Sequence, residues 1–256
     1  MTTGTTIMES PVLSAAEVSH FFHQGFIVVE RLASLDDLAH VQELLDGLFA
    51  RFRDLPPDLA FDLGGQKNHD GAQVTPQINV ATRFEPRLLE TQVFRNARAI
   101  ARQILGPEAV FSFDHAIYKP PRMGKAVPWH QDLAYGRNPN HIAYNANFWI
   151  PLQEATPENG CMQFIPFSHW GNLLPHRPVG GDPKVHTLEV WPPIDPRAVV
   201  VCPLKPGGAT IQHGKTLHYT APNNTDKPRR AWILNFSMPV ENTWAASEQK
   251  SVAGGW

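Results

Sequence analysis

Cysteine is scarce in this chain: Cys161 and Cys202 are the only two in 256 residues. Two thiols cannot form the dense disulfide framework of a small secreted scaffold, so a reducing compartment is the expected setting. An excess of charge of either sign is also lacking. Lys and Arg number 22 against 24 Asp and Glu, a net charge of −2, which gives no global field to gather nucleic acid or an anionic membrane. No apolar run approaches the roughly 20 residues of a membrane span. Residues 1–12 have neither an apolar h-region nor an Arg-rich amphipathic pattern, so no signal or transit peptide is read there. The final Ala253-Gly254-Gly255-Trp256 is not a peroxisomal or retention address. The expectation is a soluble, cytoplasmic protein with no nucleic-acid and no membrane partner.

Proline and glycine are plentiful, 24 and 18 residues, as suits many short strands joined by turns. The length allows one or two domains. No repeat, low-complexity tract or linker divides the chain. The expected organisation is a disordered tail over 1–12 and a single domain over 13–256.

Helical signals gather at the front. Ser14-Ala15-Ala16-Glu17 is a capping box, and Gly25 should end the helix it opens, just before a strand over 26–29. Ser34 caps a second helix, whose Leu38, Val41, Leu45, Leu48 and Phe52 form a buried stripe. Residues 54–71 carry Pro, Gly and Asp without periodicity and read as a long loop of the lid or binding kind. Residues 74–80 look extended. A third helix is expected over 86–105, ending at Gly106. Strand candidates follow at 109–119, 127–132, 146–152, 161–166, 185–190, 198–202, 209–212, 216–220 and 230–237. Short strands at such intervals indicate a sandwich or barrel, with helices packed on one outer face. The fold class is mainly β with flanking helices, the helices mostly in 13–105 and the β core in about 109–237.

The chemistry centres on Trp129-His130-Gln131-Asp132. On a strand, residues two apart share a face, so His130 and Asp132 would converge. A further imidazole would complete two histidines and one carboxylate on one side of a metal, a set suited to non-haem Fe(II) with open positions. The spacing alone is weak, because a chain with 12 His shows His-x-Asp by chance about as often as not. His218 and His213 compete for the third place. Strand parity puts His213, five residues earlier, on the opposite face if the strand is unbroken.

Read together and in order, several segments resemble the phytanoyl-CoA dioxygenase family. They are Gly25-Phe26-Ile27-Val28-Val29, Trp129-His130-Gln131-Asp132, Glu158-Asn159-Gly160-Cys161, Ile165-Pro166-Phe167-Ser168-His169, and His218 with Asn223 and Arg229. The likeness runs from about Leu13 to Ser237. It implies a double-stranded β-helix, the cupin-like jelly roll, with Fe(II) and 2-oxoglutarate as cofactors. It implies His130, Asp132 and His218 as iron ligands, with no catalytic residue beyond them. Arg229 would hold the far carboxylate of 2-oxoglutarate, with Thr220, Trp149 and, on a looser alignment, Gln77 beside it. Two departures stand out: Gly208 where the family has an acidic residue, and Phe167 where it often has glycine.

The implied reaction is oxidative decarboxylation of 2-oxoglutarate to succinate with dioxygen, coupled to hydroxylation or a related oxidation of a small molecule. Secondary metabolism is among the settings this opens. Asp132 occupies the place that related halogenases leave to a halide, which points to hydroxylation or a related oxidation. A guanidinium suits a carboxylate because it can bind it bidentately. Arg229 and Arg230 point to opposite faces of one strand, so only one can serve. His69, Arg137, Trp170 and Trp191 lie in loops that could cover the pocket and contact substrate. Asn159, Gly160 and His169 read as turn and packing residues, and Lys119 as a strand-end cation in solvent. Arg122 and Lys125 are too scattered to suggest a CoA polyphosphate. A different class stays open: a cupin-type metal- or ligand-binding protein, or a Zn-dependent hydrolase, that does not turn over dioxygen.

Overall fold

A computed structural model describes residues 12–63, 74–122, 125–136, 145–195 and 197–239. The tail over 1–11, His69 and Arg137 lie outside these residues. Helix α1 (Ala15–Gln24) opens on the expected box: the Ser14 hydroxyl accepts from Glu17 N, and the Glu17 carboxylate accepts from Ser14 N. Gly25 ends it at φ 87°, where a Cβ would stand 2.3 Å from His169 Nδ1, so only glycine fits. Strand β1 (Phe26–Val29) and helix α2 (Leu35–Ala50), capped by the Ser34 hydroxyl, follow as the sequence indicates.

Strands β2 (Ala60–Asp62) and β3 (Pro76–Asn79) pair antiparallel. The stretch read as a loop over 54–71 thus contains a strand, one too short at three residues to show a period. After α3 (Ala81–Phe84), the single helix expected over 86–105 is two pieces. A 3-10 turn covers Pro86–Glu90, then Thr91 is extended and caps α4 (Gln92–Leu105), its hydroxyl accepting from Phe94 N. The break has a distant partner. The Asp37 carboxylate of α2 accepts from Gln92 N and Val93 N, two donors that a new helix start leaves free.

The strands that follow are β4 (Val110–Lys119), β5 (Val127–His130), β6 (Asn145–Pro151), β7 (Met162–Phe164), β8 (His176–Pro178), β9 (Leu188–Val190), β10 (Val200–Cys202), β11 (Ala209–Gln212), β12 (His218–Thr220) and β13 (Arg229–Ser237). They form a seven-stranded sheet, β1-β11-β6-β13-β4-β3-β2, and a four-stranded sheet, β10-β7-β12-β5, with β8 and β9 as a hairpin. The ladders are antiparallel. This is the jelly roll that the resemblance implies.

Alternation along the large sheet sets its two faces. Ile27, Phe148, Ile150, Ile211, Trp232 and Leu234 pack with α2 and α4 on the outside. Phe26, Trp149, Ala231 and Ile233 point inward, against Met162 and Phe164 of the small sheet. Cys161 and Cys202 are free thiols buried in this inner layer. Among the described residues no helix is long and apolar enough to cross a membrane.

Candidate metal centre

His130 ends β5 and His218 begins β12, and the two stand directly opposite each other across the ladder. Their rings therefore share the inner face, with centroids 4.1 Å apart. Asp132 arrives by another route than the one its spacing suggests. The strand expected over 127–132 stops at His130, and Asp132 begins a 3-10 turn over Asp132–Tyr135. Leu133 N donates to Gly214 O at 3.0 Å and pins that turn beside β12. Asp132 Oδ1 then lies 3.5 Å from His130 Nε2 and 3.3 Å from His218 Nε2.

The donor set fits a divalent cation. Each imidazole gives its Nδ1 proton to a carbonyl, His130 to Pro128 O at 2.7 Å and His218 to Thr216 O at 2.8 Å. Both Nε2 lone pairs are thereby free and aimed at one point. The other Asp132 oxygen accepts from Asn147 Nδ2 at 2.5 Å and, more weakly, from Gln212 Nε2 at 3.4 Å. One ligand atom from each of the three residues lies within 4.8 Å of the others. Burial, then the facing His218, lowers the pKa of His130. At His218 burial acts downward, but the Asp132 carboxylate outweighs it and raises the value. Burial would raise Asp132, yet His218 and His130 hold it well below the usual carboxylate range. The group is poised as two imidazoles around one carboxylate anion.

Two positioning residues were not singled out in the sequence. Gln131 is fully buried between His130 and Asp132, two of the candidate ligands. Its Nε2 donates to Lys215 O at 2.7 Å, and its Oε1 accepts from Leu174 N at 2.8 Å. Its backbone N donates to His176 Nε2 at 3.1 Å, while His176 Nδ1 gives its proton to Leu174 O. The β8 approach and the turn before β12 are thus clipped to the ligand pair. A glutamine between two converging ligands must point away from them, and a buried amide needs partners. His213 is not part of the cluster. The parity premise fails, because a turn at 214–216 breaks the strand expected over 216–220 and separates β11 from β12. Its Nδ1 accepts from Lys215 N at 3.0 Å, and burial brings its pKa down to about 4.

Arg229 begins β13 and is 1% exposed. Its Nε and Nη1 are buried without a hydrogen-bond partner, and its Cζ lies 5.3 Å from the Trp149 ring centroid. Burial lowers its pKa to about 9. Arg230 points the other way, its Nε donating to Asp46 of α2 at 2.5 Å. Lys119 does not extend into solvent as its position before two prolines suggests. It is fully buried opposite Arg229, and its Nζ meets Thr220 Oγ1 at 2.9 Å. Trp149 and Thr220 are buried near this pair, whereas the Gln77 amide donates to its strand neighbour Asn79. Trp170 is exposed and donates its indole N–H to His23 O, and Trp191 lies under the Arg177 guanidinium on the β8–β9 hairpin. Neither belongs to the ligand cluster. Phe167, where the family often has glycine, keeps a left-handed backbone at φ 64°.

Residues 21–231 match the family model described as phytanoyl-CoA dioxygenase. The chain is 24% identical to the bovine (Bos taurus) phytanoyl-CoA dioxygenase domain-containing protein 1, over 91% of this chain and 93% of that one. It is 36% identical to EvdO2 from Micromonospora carbonacea var. aurantiaca, with a TM-score of 0.77 over 90% of this chain and 93% of that one. A crystal structure of EvdO2 complexed with 2-oxoglutarate aligns with a TM-score of 0.76 at 34% identity, with the same coverage of both chains.

Proposed function

Because the chain belongs to the phytanoyl-CoA dioxygenase family, we propose that His130, Asp132 and His218 hold Fe(II), that Arg229 binds the far carboxylate of 2-oxoglutarate, and that the enzyme hydroxylates a small molecule. The protein is a non-haem oxygenase dependent on iron and 2-oxoglutarate. The bound iron and cosubstrate supply the oxidising chemistry: dioxygen converts 2-oxoglutarate to succinate and CO2, and one oxygen atom goes to the substrate.

The chain's residues orient and attract. Two neutral imidazoles and one carboxylate leave a net +1 on a ferrous site, which draws a dianionic 2-oxo acid. The observation that carries the reading is Arg229. A buried guanidinium with two unpaired nitrogens is costly, and a carboxylate docked on it would remove that cost with charge-assisted bonds. Zn(II) hydrolysis does not in itself require this second group, whereas a 2-oxo diacid cosubstrate does. Trp149 offers an aromatic wall to the guanidinium, and Thr220 a hydroxyl on the same side. Gln77 would need to leave Asn79 to take part. Asp132 fills the position a halide would need, which favours hydroxylation or a related oxidation over chlorination.

For the substrate, we extend the proposal to a small molecule of secondary metabolism rather than a CoA ester. Arg122, one of the few cations suited to a polyphosphate, pairs at the surface with Asp226, and among the described residues no cluster of cations gathers around it.

Anaerobic titration with Fe(II) and 2-oxoglutarate tests the reading. A weak visible charge-transfer band, and succinate on admission of air, are expected. The absence of both would favour a binding protein or a hydrolase. Chlorinated product from the wild-type enzyme with substrate and chloride would overturn the hydroxylase assignment.

A further inference from the structure

Lys119 and Arg229 close one end of the inner layer as a pair of buried cations. They are register partners on β4 and β13, with 0% and 1% exposure. Among the described residues neither has a carboxylate within ion-pair distance. Burial and the facing Arg229 both lower the pKa of Lys119.

The surroundings of Lys119 Nζ define what it can do. It meets Ala221 O at 2.6 Å, Thr220 Oγ1 at 2.9 Å and Thr220 O at 3.4 Å. Two of these atoms are carbonyls, which only accept. The remaining N–H goes to the Thr220 hydroxyl oxygen. Thr220 is buried, and among the described residues nothing accepts its hydroxyl hydrogen. As long as Lys119 is an ammonium that donates to the oxygen, that hydrogen is left for an acceptor brought from outside. A neutral amine would reverse this arrangement, because its lone pair could take the Thr220 proton.

We propose that Lys119 is a positioning residue for the cosubstrate. It fixes the Thr220 hydroxyl as a donor toward the carboxylate that Arg229 binds, and so makes the pocket select 2-oxo diacids over 2-oxo monoacids. The inference rests on the reading that Arg229 and Thr220 face the cosubstrate. A purely structural role is the competing explanation, since Lys119 Nζ also donates to Thr220 O and Ala221 O and ties the loop after β12 to β4. Loss of that loop would harm any 2-oxo acid alike, whereas loss of the hydroxyl donor harms only an acid with a second carboxylate.

Binding of 2-oxoglutarate and of 2-oxovalerate, which lacks the far carboxylate, would be measured by calorimetry on Mn(II)-loaded protein. Lys119→Met should weaken 2-oxoglutarate by roughly 10- to 150-fold, the range for one hydrogen bond to a charged group. 2-Oxovalerate should change less than about twofold, since it never used that bond. Thr220→Val should give the same loss of preference, Thr220→Ser should keep it, and Lys119→Met should add little in the Thr220→Val background. Equal weakening of both acids, or full additivity of the two changes, would overturn the proposal. If Lys119→Met fails to fold, Thr220→Val decides alone, and an unchanged preference rejects it. If Arg229→Gln weakens 2-oxoglutarate while Lys119→Met and Thr220→Val do not, only this inference falls. If Arg229→Gln also has no effect, the cosubstrate assignment falls with it.

Discussion

His218 faces His130 across the β12–β5 ladder, with Thr216 O and Pro128 O each taking an Nδ1 proton. Both Nε2 atoms are left to one cation. His218→Ala should therefore weaken Mn(II) or Fe(II) binding by at least about 100-fold, the upper end of what losing even an outer partner costs. His213→Ala should leave it within about twofold. Metal titration of the two variants checks the pair, and the reverse order would move the third ligand to His213.

Arg229 and Arg230 are adjacent in sequence but belong to different faces of β13. Arg229→Gln should weaken 2-oxoglutarate by roughly 10- to 100-fold, the worth of one or two charge-assisted bonds, with metal affinity unchanged. Arg230→Gln should leave the cosubstrate alone and cost about 0.5–1 kcal/mol of stability through its half-exposed pairing with Asp46. Calorimetry and urea unfolding separate the two outcomes.

Gln131, between the candidate ligands His130 and Asp132, is tied by its side chain to Leu174 and Lys215. Gln131→Ala should cost about 1–3 kcal/mol by leaving buried partners unpaired. It should also weaken the metal about 10- to 100-fold, as loss of a positioning partner does. Denaturant midpoints with and without Mn(II) would show both effects. A stability loss with metal affinity intact would reduce Gln131 to a packing role.

His213 gives a pH dependence with a definite sign. Its folded pKa of about 4 lies below the ordinary 6.5, chiefly through burial. The unfolded chain then binds the extra proton first, so this contribution is present above pH 6.5 and is lost as pH falls toward 4. Between pH 7 and 4.5 the wild type should lose about 2 kcal/mol more than His213→Gln. Unfolding curves at the two pH values test this, and parallel losses would refute it.

Gly160 sits at φ 87°, and a Cβ there would lie 2.3 Å from Ala221 O, the carbonyl that accepts from Lys119. Gly160→Ala should cost about 2 kcal/mol or more from strain and collision together. It should weaken 2-oxoglutarate as well, because the displaced carbonyl disturbs Lys119. Thermal unfolding and cosubstrate titration are the measurements.

The sequence by itself determined features set within a few residues. The Ser14-x-x-Glu17 box, the Ser34 cap, the Gly25 stop and the strand candidates over 209–212 and 230–237 could be read because caps and β-forming runs are local. The candidate ligands could also be read, since His130, Asp132 and His218 stand in an ordered set of motifs. Tertiary structure decided how they meet. Asp132 converges through a turn anchored on Gly214, not through strand parity, and the break ahead of α4 is matched by Asp37, 55 residues away from Gln92. Lys119 reads as a strand-end cation until β12, 101 residues on, surrounds its Nζ with oxygens. Arg229 and Arg230 look interchangeable until one finds Asp46 and the other a buried face without an anion. Burial and partner choice are long-range properties, fixed by which strands pair and which face turns inward, and local spacing does not carry that information.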